Sequence, residues 1–149
     1  MTEIVDLMTV THKALRVLAE DSVRRHGLHL GQNLVLAALW EQEGRTPGEL
    51  AALLNVTTPT VVKMATRMTA AGLLTRQRDE HDQRLVRLYL TDKGRALQGP
   101  LTADRQELER QITEGLTREE LKQLSSTLAK VLANARHHGS GKTTATDEH

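Results

Sequence analysis

Two threonine–proline pairs, Thr46-Pro47 and Thr58-Pro59, constrain the fold of this chain more than any other feature. Threonine is a favourable N-cap and proline suits the first helical position, so each pair predicts the start of a helix. Glu49 completes a capping box with Thr46. A residue before proline avoids helical angles, which favours Thr58 as the second cap. Because only Asn55-Val56-Thr57 remains for a turn, we predict two short helices joined tightly.

Both helices have an apolar face. The expected core residues of the first are Leu50, Ala51, Leu53 and Leu54. Those of the second recur at steps of three and four and therefore share one face: Val61, Met64, Ala65 and Met68. Thr60, Lys63 and Arg67 then point outward, and Gly72 is expected to end the helix.

Two β-prone runs follow, at residues 73–75 and 85–90, with a polar tip at 78–84 between them. Asp82 and Arg84 are two residues apart, so on an extended ribbon they lie on one side and Asp82 can brace the guanidinium group. A braced arginine at a ribbon tip suits the narrow, electronegative minor groove of DNA. Together with the helix pair, this ribbon predicts a winged helix-turn-helix.

The charge distribution favours double-stranded DNA as a partner. The net charge is only +1, but residues 57–95 hold eight Lys/Arg against four Asp/Glu, and the rest of the chain holds twelve against fifteen. Positive charge is thus concentrated where a DNA reader is expected. The second helix can offer hydroxyl and free backbone N–H groups to phosphates and base edges. The predicted DNA-binding residues are Thr57, Thr58, Pro59, Thr60, Lys63, Arg67, Asp82 and Arg84.

Amphipathic helices flank this winged core of about residues 30–94. They are expected at about 3–25 and 95–136, and their simplest use is a homodimer interface built from both chain ends. Thr91 is the expected cap of a long helix through about residue 114, with weak points or a kink at Gly94 and Pro100. We predict a mainly α fold with a small β-wing, one domain over residues 1–138 and a disordered tail over 139–149.

Composition excludes several classes of function. The chain has no Cys, which excludes disulfides, Cys-ligated zinc and thiol-based redox sensing. No run approaches the roughly 20 apolar residues that span a bilayer, so we expect a cytoplasmic protein without membrane contact. Because we find no nucleophile–base pair, paired acids or cofactor loop in a suitable context, we expect neither an enzyme nor a cofactor.

Three segments resemble the MarR (multiple antibiotic resistance regulator) family of bacterial winged-helix repressors. They are LAALLNVTTPTVVKMATRMTAAGLLTR, RDEHDQR and LTDKG. The most specific part is the Asp82-x-Arg84 pattern of the wing, followed by Leu90-Thr91 and Gly94. The helix order extends the resemblance to about residues 3–136. Gln83 departs from the family, which often has a second arginine there.

The resemblance implies a homodimer that binds a short palindrome, usually as a repressor, and that is often released by a small aromatic or phenolic acid. The family's ligand cleft lies between the dimerising helices and the winged lobe. A ligand there would favour a spacing of the two reading helices that misfits DNA. The cleft-lining candidates in this sequence are His12, Leu15, His29, Trp40 and Met64.

Two other functions remain open from the sequence alone. The first is a metal-responsive regulator of the same fold, for which the His26-x-x-His29 pair is the only visible beginning of a site. Zinc needs three or four ligands, so this pair is insufficient by itself. The second is a winged-helix module that binds proteins and has no DNA target.

Overall fold

The structure, a computed structural model, describes residues 3–140. It is mainly helical with a two-stranded wing, as predicted. The described residues divide into two compact units, one ending at Leu108 and the other beginning at Glu109. The single domain expected over residues 1–138 stays a prediction. The elements in chain order are α1 (Glu3–Arg24), α2 (Gln32–Glu41), α3 (Pro47–Leu54), α4 (Thr58–Ala70), β1 (Leu74–Arg78), β2 (Val86–Leu90), α5 (Asp92–Ala96), α6 (Gln98–Ile112) and α7 (Arg118–Ser140).

The core of the first unit is aliphatic. Most of its side chains come from helices α2, α3 and α4 and from both strands, which pack the wing onto the helix pair. Burial of these side chains supplies the main favourable term in the stability of the unit. The largest fully buried residues are Leu28, Leu36, Leu39, Leu50, Met68, Leu74, Leu88, Val35 and Val61.

Helix α3 begins as its sequence predicts, because the capping box is complete. The Glu49 backbone N–H donates to Thr46 Oγ1 at 3.2 Å, and the Thr46 backbone N–H donates to Glu49 Oε2 at 3.3 Å. Leu50 and Ala51 are buried. The prediction that Leu53 is buried is wrong, since its exposed fraction is 47%. Helical geometry places it well to one side of the buried face that Leu50 and Ala51 define.

Helix α4 starts one residue earlier than predicted. Its N-cap is Thr57 rather than Thr58, and the Val61 N–H donates to the Thr57 carbonyl at 3.3 Å. Pro59 therefore takes the second helical position. That position is permitted because the first four N–H groups of any helix lack an intrahelical acceptor. The predicted inward face is confirmed, with Val61, Ala65 and Met68 buried.

The wing is an antiparallel pair whose register runs from Leu74 opposite Leu90 to Arg78 opposite Val86. Arg78, predicted to lie in the tip, is thus the last residue of β1. The loop between α2 and α3 adds to this ribbon: the Leu88 N–H donates to the Arg45 carbonyl at 3.0 Å. Backbone bonds therefore fasten the ribbon to the start of α3.

The long helix expected after Thr91 is divided into α5 and α6 at Leu97. Proline explains the break, because Pro100 has no N–H to donate to the carbonyl four residues earlier. Gly94 is not a weak point. It lies against the Leu73 carbonyl oxygen with no room for a Cβ atom, and it donates its N–H to the Thr91 hydroxyl at 3.1 Å.

The end of α1 is joined to α6 by a polar cluster. His26 Nε2 lies 2.6 Å from Asp104 Oδ2, and Arg25 and Ser22 lie at 3.8 and 3.4 Å from the same oxygen. The hydrogen bond with His26, followed by the charge of Arg25, lowers the pKa of Asp104 below its ordinary value. This cluster fixes the residues that follow α1 against the first turns of α6.

Helices α1 and α7 each have an exposed apolar stripe. On α1 only Val23 is buried. The exposed residues are Ile4, Val5, Leu7, Met8, Val10, Val17 and Leu18 on α1, and Leu121, Leu124, Leu128 and Leu132 on α7. Helix α7 continues to Ser140, and residues 141–149 of the predicted tail lie outside the described residues. Between residues 3 and 140, no helix is long and apolar enough to cross a membrane.

Candidate nucleic-acid interface

The first turn of α4 presents a row of exposed side chains. Thr57, Thr58, Pro59 and Thr60 are all exposed, and the hydroxyl oxygens of Thr57 and Thr60 lie 2.9 Å apart. Backbone N–H groups at this end have no helical acceptors, and the helix dipole is positive here. Both properties favour contact with phosphate oxygens.

Two cations extend this face along α4. Lys63 and Arg67 are exposed, one turn apart. Neither forms an ion pair within residues 3–140, so both charges face solvent and can contact a polyanion. The predicted helix face is therefore present as a surface, and its role in DNA binding stays a prediction.

At the wing, the predicted contact between Asp82 and Arg84 is present. Asp82 Oδ1 accepts from the Arg84 side-chain Nε at 3.2 Å and from its backbone N–H at 3.1 Å. The side chain of Arg84 is nevertheless 92% exposed. The carboxylate orients the guanidinium group by its Nε and leaves both terminal nitrogens without a protein partner among residues 3–140.

The wing tip is organised by a residue that sequence analysis did not select. Asp79 Oδ2 accepts from the backbone N–H groups of His81 and Asp82 at 3.1 and 2.9 Å. Asp79 Oδ1 accepts from Arg87 Nε at 2.7 Å. The Arg87 hydrogen bond is the main reason that the pKa of Asp79 is lowered. The sequence position of Asp79 could have indicated this role, because an aspartate at the start of a polar tip often accepts hydrogen bonds from backbone N–H groups two residues on.

Arg87 connects the tip to the helix pair. It donates through Nε to Asp79 and through a terminal nitrogen to the Gly44 carbonyl at 2.8 Å. The same nitrogen lies 4.0 Å from Glu49 Oε1, at the start of α3. One guanidinium group thus contacts the wing, the loop before α3 and the capping box. The sequence placed Arg87 only within a β-prone run.

A groove of about 360 Å³ lies between the start of α3, α4 and the wing. Most of its wall is aliphatic, including Val62 and Leu85. Its polar residues include Thr58, Arg76 and Arg84, and Arg76 donates to the Thr66 hydroxyl at 2.6 Å. The groove therefore shares Thr58 and Arg84 with the predicted DNA-binding surface.

The five predicted cleft residues are not among those that line this groove. His12 and His29 are exposed, and Leu15 is half-buried. Trp40 donates its indole N–H to the Gly94 carbonyl at 3.0 Å, which gives it a structural role. Met64 packs beside Gly31. A cleft formed by all five residues stays a prediction.

The histidine pair considered for a metal site is divided between two environments. His26 contacts Asp104, and His29 is exposed. Among the residues that the structure describes, no group of three or more His, Asp or Glu side chains is arranged to hold a metal ion.

Comparison with known proteins identifies related chains. The MarR family model matches residues 28–86. The HTH-type transcriptional regulator TtmR of Methylorubrum extorquens is 41% identical over 76 residues, which is 51% of this chain but only 39% of that protein. The HTH-type transcriptional regulator MgrA of Staphylococcus aureus is 30% identical over 109 residues, 73% of each chain. A solved structure of a MarR mutant from E. coli, complexed with operator DNA, has a TM-score of 0.81 and 25% identity, and the match covers 88% of this chain and 94% of that one.

Proposed function

Because the chain belongs to the MarR family of transcriptional regulators, we propose that it is a repressor. It binds a palindromic operator as a homodimer and is released from the DNA by a small-molecule ligand. The observation that carries the DNA-binding part is Arg84, which is held by Asp82 and yet almost fully exposed. The start of α4 supplies a second surface of hydroxyl and N–H groups. A helix in the major groove and an arginine in the adjacent minor groove would account for both.

The exposed stripes of α1 and α7 support a homodimer. Ile4, Leu7, Met8 and Leu18 share one face of α1, and the four exposed leucines of α7 share one face of that helix; each helix has more than twenty residues. Apolar faces of this kind are normally covered, and in a symmetric dimer the same surface serves both subunits. A two-fold dimer would place two copies of α4 against two half-sites, which is why we propose a palindromic operator.

The groove supports release by a small anionic ligand. An aromatic or phenolic acid would place its ring on the aliphatic wall and its carboxylate near Arg76 or Arg84. Because the groove shares Thr58 and Arg84 with the DNA surface, such a ligand would compete with phosphate contacts. This is a more direct route than a change in half-site spacing caused by binding at the predicted cleft.

DNA binding is tested by titrating the purified protein against labelled DNA from the promoter region beside its own gene. An unrelated duplex of equal length is the reference. We expect tighter binding to the promoter fragment and a strong loss of affinity for both duplexes at higher salt. Absence of binding to either duplex at low salt would contradict the proposal.

Ligand release is tested separately, with benzoate and 4-hydroxybenzoate as probes. We expect either acid to raise the melting temperature and to displace the promoter fragment. The double variant Arg76→Ala/Arg84→Ala should remove the thermal shift, whereas Arg118→Ala, on an exposed part of α7, should leave it. A shift that is equal in both variants would place the ligand elsewhere.

A further inference from the structure

Arg84 is the last link of a chain of hydrogen bonds that starts in the loop before α3. The Gly44 carbonyl accepts from Arg87, and Arg87 donates to Asp79. Asp79 accepts from the backbone N–H of Asp82, and the Asp82 carboxylate accepts from Arg84. Every link between the loop before α3 and the exposed guanidinium group is 3.2 Å or shorter.

We propose that Asp79 and Arg87 are positioning residues for DNA binding, which fix the wing tip and its Arg84 relative to α3 and α4 without contacting DNA themselves. The inference rests on the proposed DNA-binding function. Two properties favour a positioning role over direct contact. The side chain of Asp79 is only 14% exposed, and a carboxylate would repel phosphate. Arg87 uses Nε and one terminal nitrogen on protein acceptors.

The inference is testable because a purely electrostatic role and a positioning role of the Asp79 carboxylate predict opposite effects of its removal on DNA affinity. Removal of a negative charge beside DNA should strengthen binding if the carboxylate acts only through its charge. Loss of the carboxylate should weaken binding if it holds the tip. Glu80 is the matched control, because it is an exposed acid on the same tip and has no side-chain hydrogen bond or ion pair within residues 3–140.

The experiment measures affinity of the full chain for the promoter fragment and for the unrelated duplex by fluorescence anisotropy. Asp79→Asn should weaken binding about tenfold, a loss of affinity within the range expected when a base-contacting arginine is removed. Glu80→Gln should leave the affinity equal or slightly higher. Arg87→Lys keeps the positive charge, but the lysine ammonium group lacks the planar fork of donors with which the guanidinium group reaches both acceptors. This change should therefore also weaken binding several-fold.

A double-mutant cycle separates positioning from general destabilisation. If Asp79 acts through Arg84, the loss caused by Asp79→Asn should disappear in an Arg84→Ala background. A loss that persists at full size there would overturn the inference, as would an Asp79→Asn affinity that matches Glu80→Gln. Should Asp79→Asn fail to fold, Arg87→Lys decides by the same cycle. Failure of the wild type to bind either duplex would instead reject the proposed function, and the inference with it.

Discussion

Gly94 lies against the carbonyl oxygen of Leu73 so closely that no side chain fits between them. The same oxygen accepts from the Thr91 backbone N–H at 3.1 Å. On its other side, Gly94 offers its own carbonyl to Trp40. Gly94 therefore lies where the start of β1, the end of β2 and the end of α2 come together, and this position must be glycine.

Gly94→Ala should lower the free energy of unfolding by about 1–3 kcal/mol, because a backbone carbonyl cannot move aside as a flexible side chain can. Gly48→Ala, in the first turn of α3, is the matched control, since its added Cβ would lie 3.9 Å from the Thr46 hydroxyl oxygen, an ordinary contact distance. That change should leave stability equal or raise it by up to about 1 kcal/mol. Urea unfolding followed by the fluorescence of Trp40, the single tryptophan, measures both. Equal effects of the two changes would refute the close contact.

Arg84→Ala should weaken DNA binding and reduce the slope of log affinity against log salt by about one unit, because one phosphate-neutralising cation is lost. Arg118→Ala, which removes an exposed arginine of α7, is the control and should leave both quantities unchanged. Titrations at four or more salt concentrations give the slopes. If the two variants have the same slope as the wild type, the wing does not neutralise phosphate.

Leu124→Lys/Leu128→Lys should convert the protein to a monomer, because two charges would enter the apolar stripe of α7. Ser126→Lys/Ala133→Lys adds the same charge on the opposite side of the helix and should leave the dimer intact. Light scattering after size-exclusion chromatography gives the molar mass of each variant. A wild type that is already monomeric, or two variants of equal mass, would exclude a dimer interface on this stripe.

Asp104 should make stability depend on pH in the acid range. Its pKa is lowered in the folded state, chiefly by the hydrogen bond with His26, so the folded state favours the carboxylate. The stabilisation is therefore complete above the unfolded value of about 3.9 and is lost as the pH falls through the lower folded value.

The measurement compares unfolding free energies of the wild type and Asp104→Asn across this range. Their difference should shrink as the pH falls below about 4. Asp21→Asn is the control, because Asp21 is exposed on α1 and has no ion pair between residues 3 and 140. A difference for Asp104→Asn that does not change with pH would show that the carboxylate is not stabilised by its partners.

Short-range features could be predicted from the sequence. The capping box of Thr46 and Glu49 and the contact of Asp82 with Arg84 each join residues two or three positions apart. The buried face of α4 follows from helical periodicity alone. For such features the chain between the partners is so short that backbone geometry nearly determines the contact.

Contacts between residues that are far apart in the sequence could not be predicted in this way. Arg87 meets Gly44, 43 residues away, only because the loop before α3 pairs with β2. The need for glycine at position 94 likewise depends on where the Leu73 carbonyl lies in the folded unit. For the cap of α4, the rule that a residue before proline avoids helical angles favoured Thr58, but Thr58 is helical and Thr57 is the N-cap.

The Asp82 carboxylate holds Arg84 by both its main chain and its side chain. An arginine that is free in solvent loses rotamer entropy worth about 2 kcal/mol when a ligand immobilises it. Here the contact of Nε with Asp82 already restricts the side chain, while the terminal nitrogens remain available to a ligand. If the wing contacts phosphate as proposed, it would bind with a smaller entropic penalty than an unrestrained arginine would carry, and a carboxylate that itself repels phosphate would aid association.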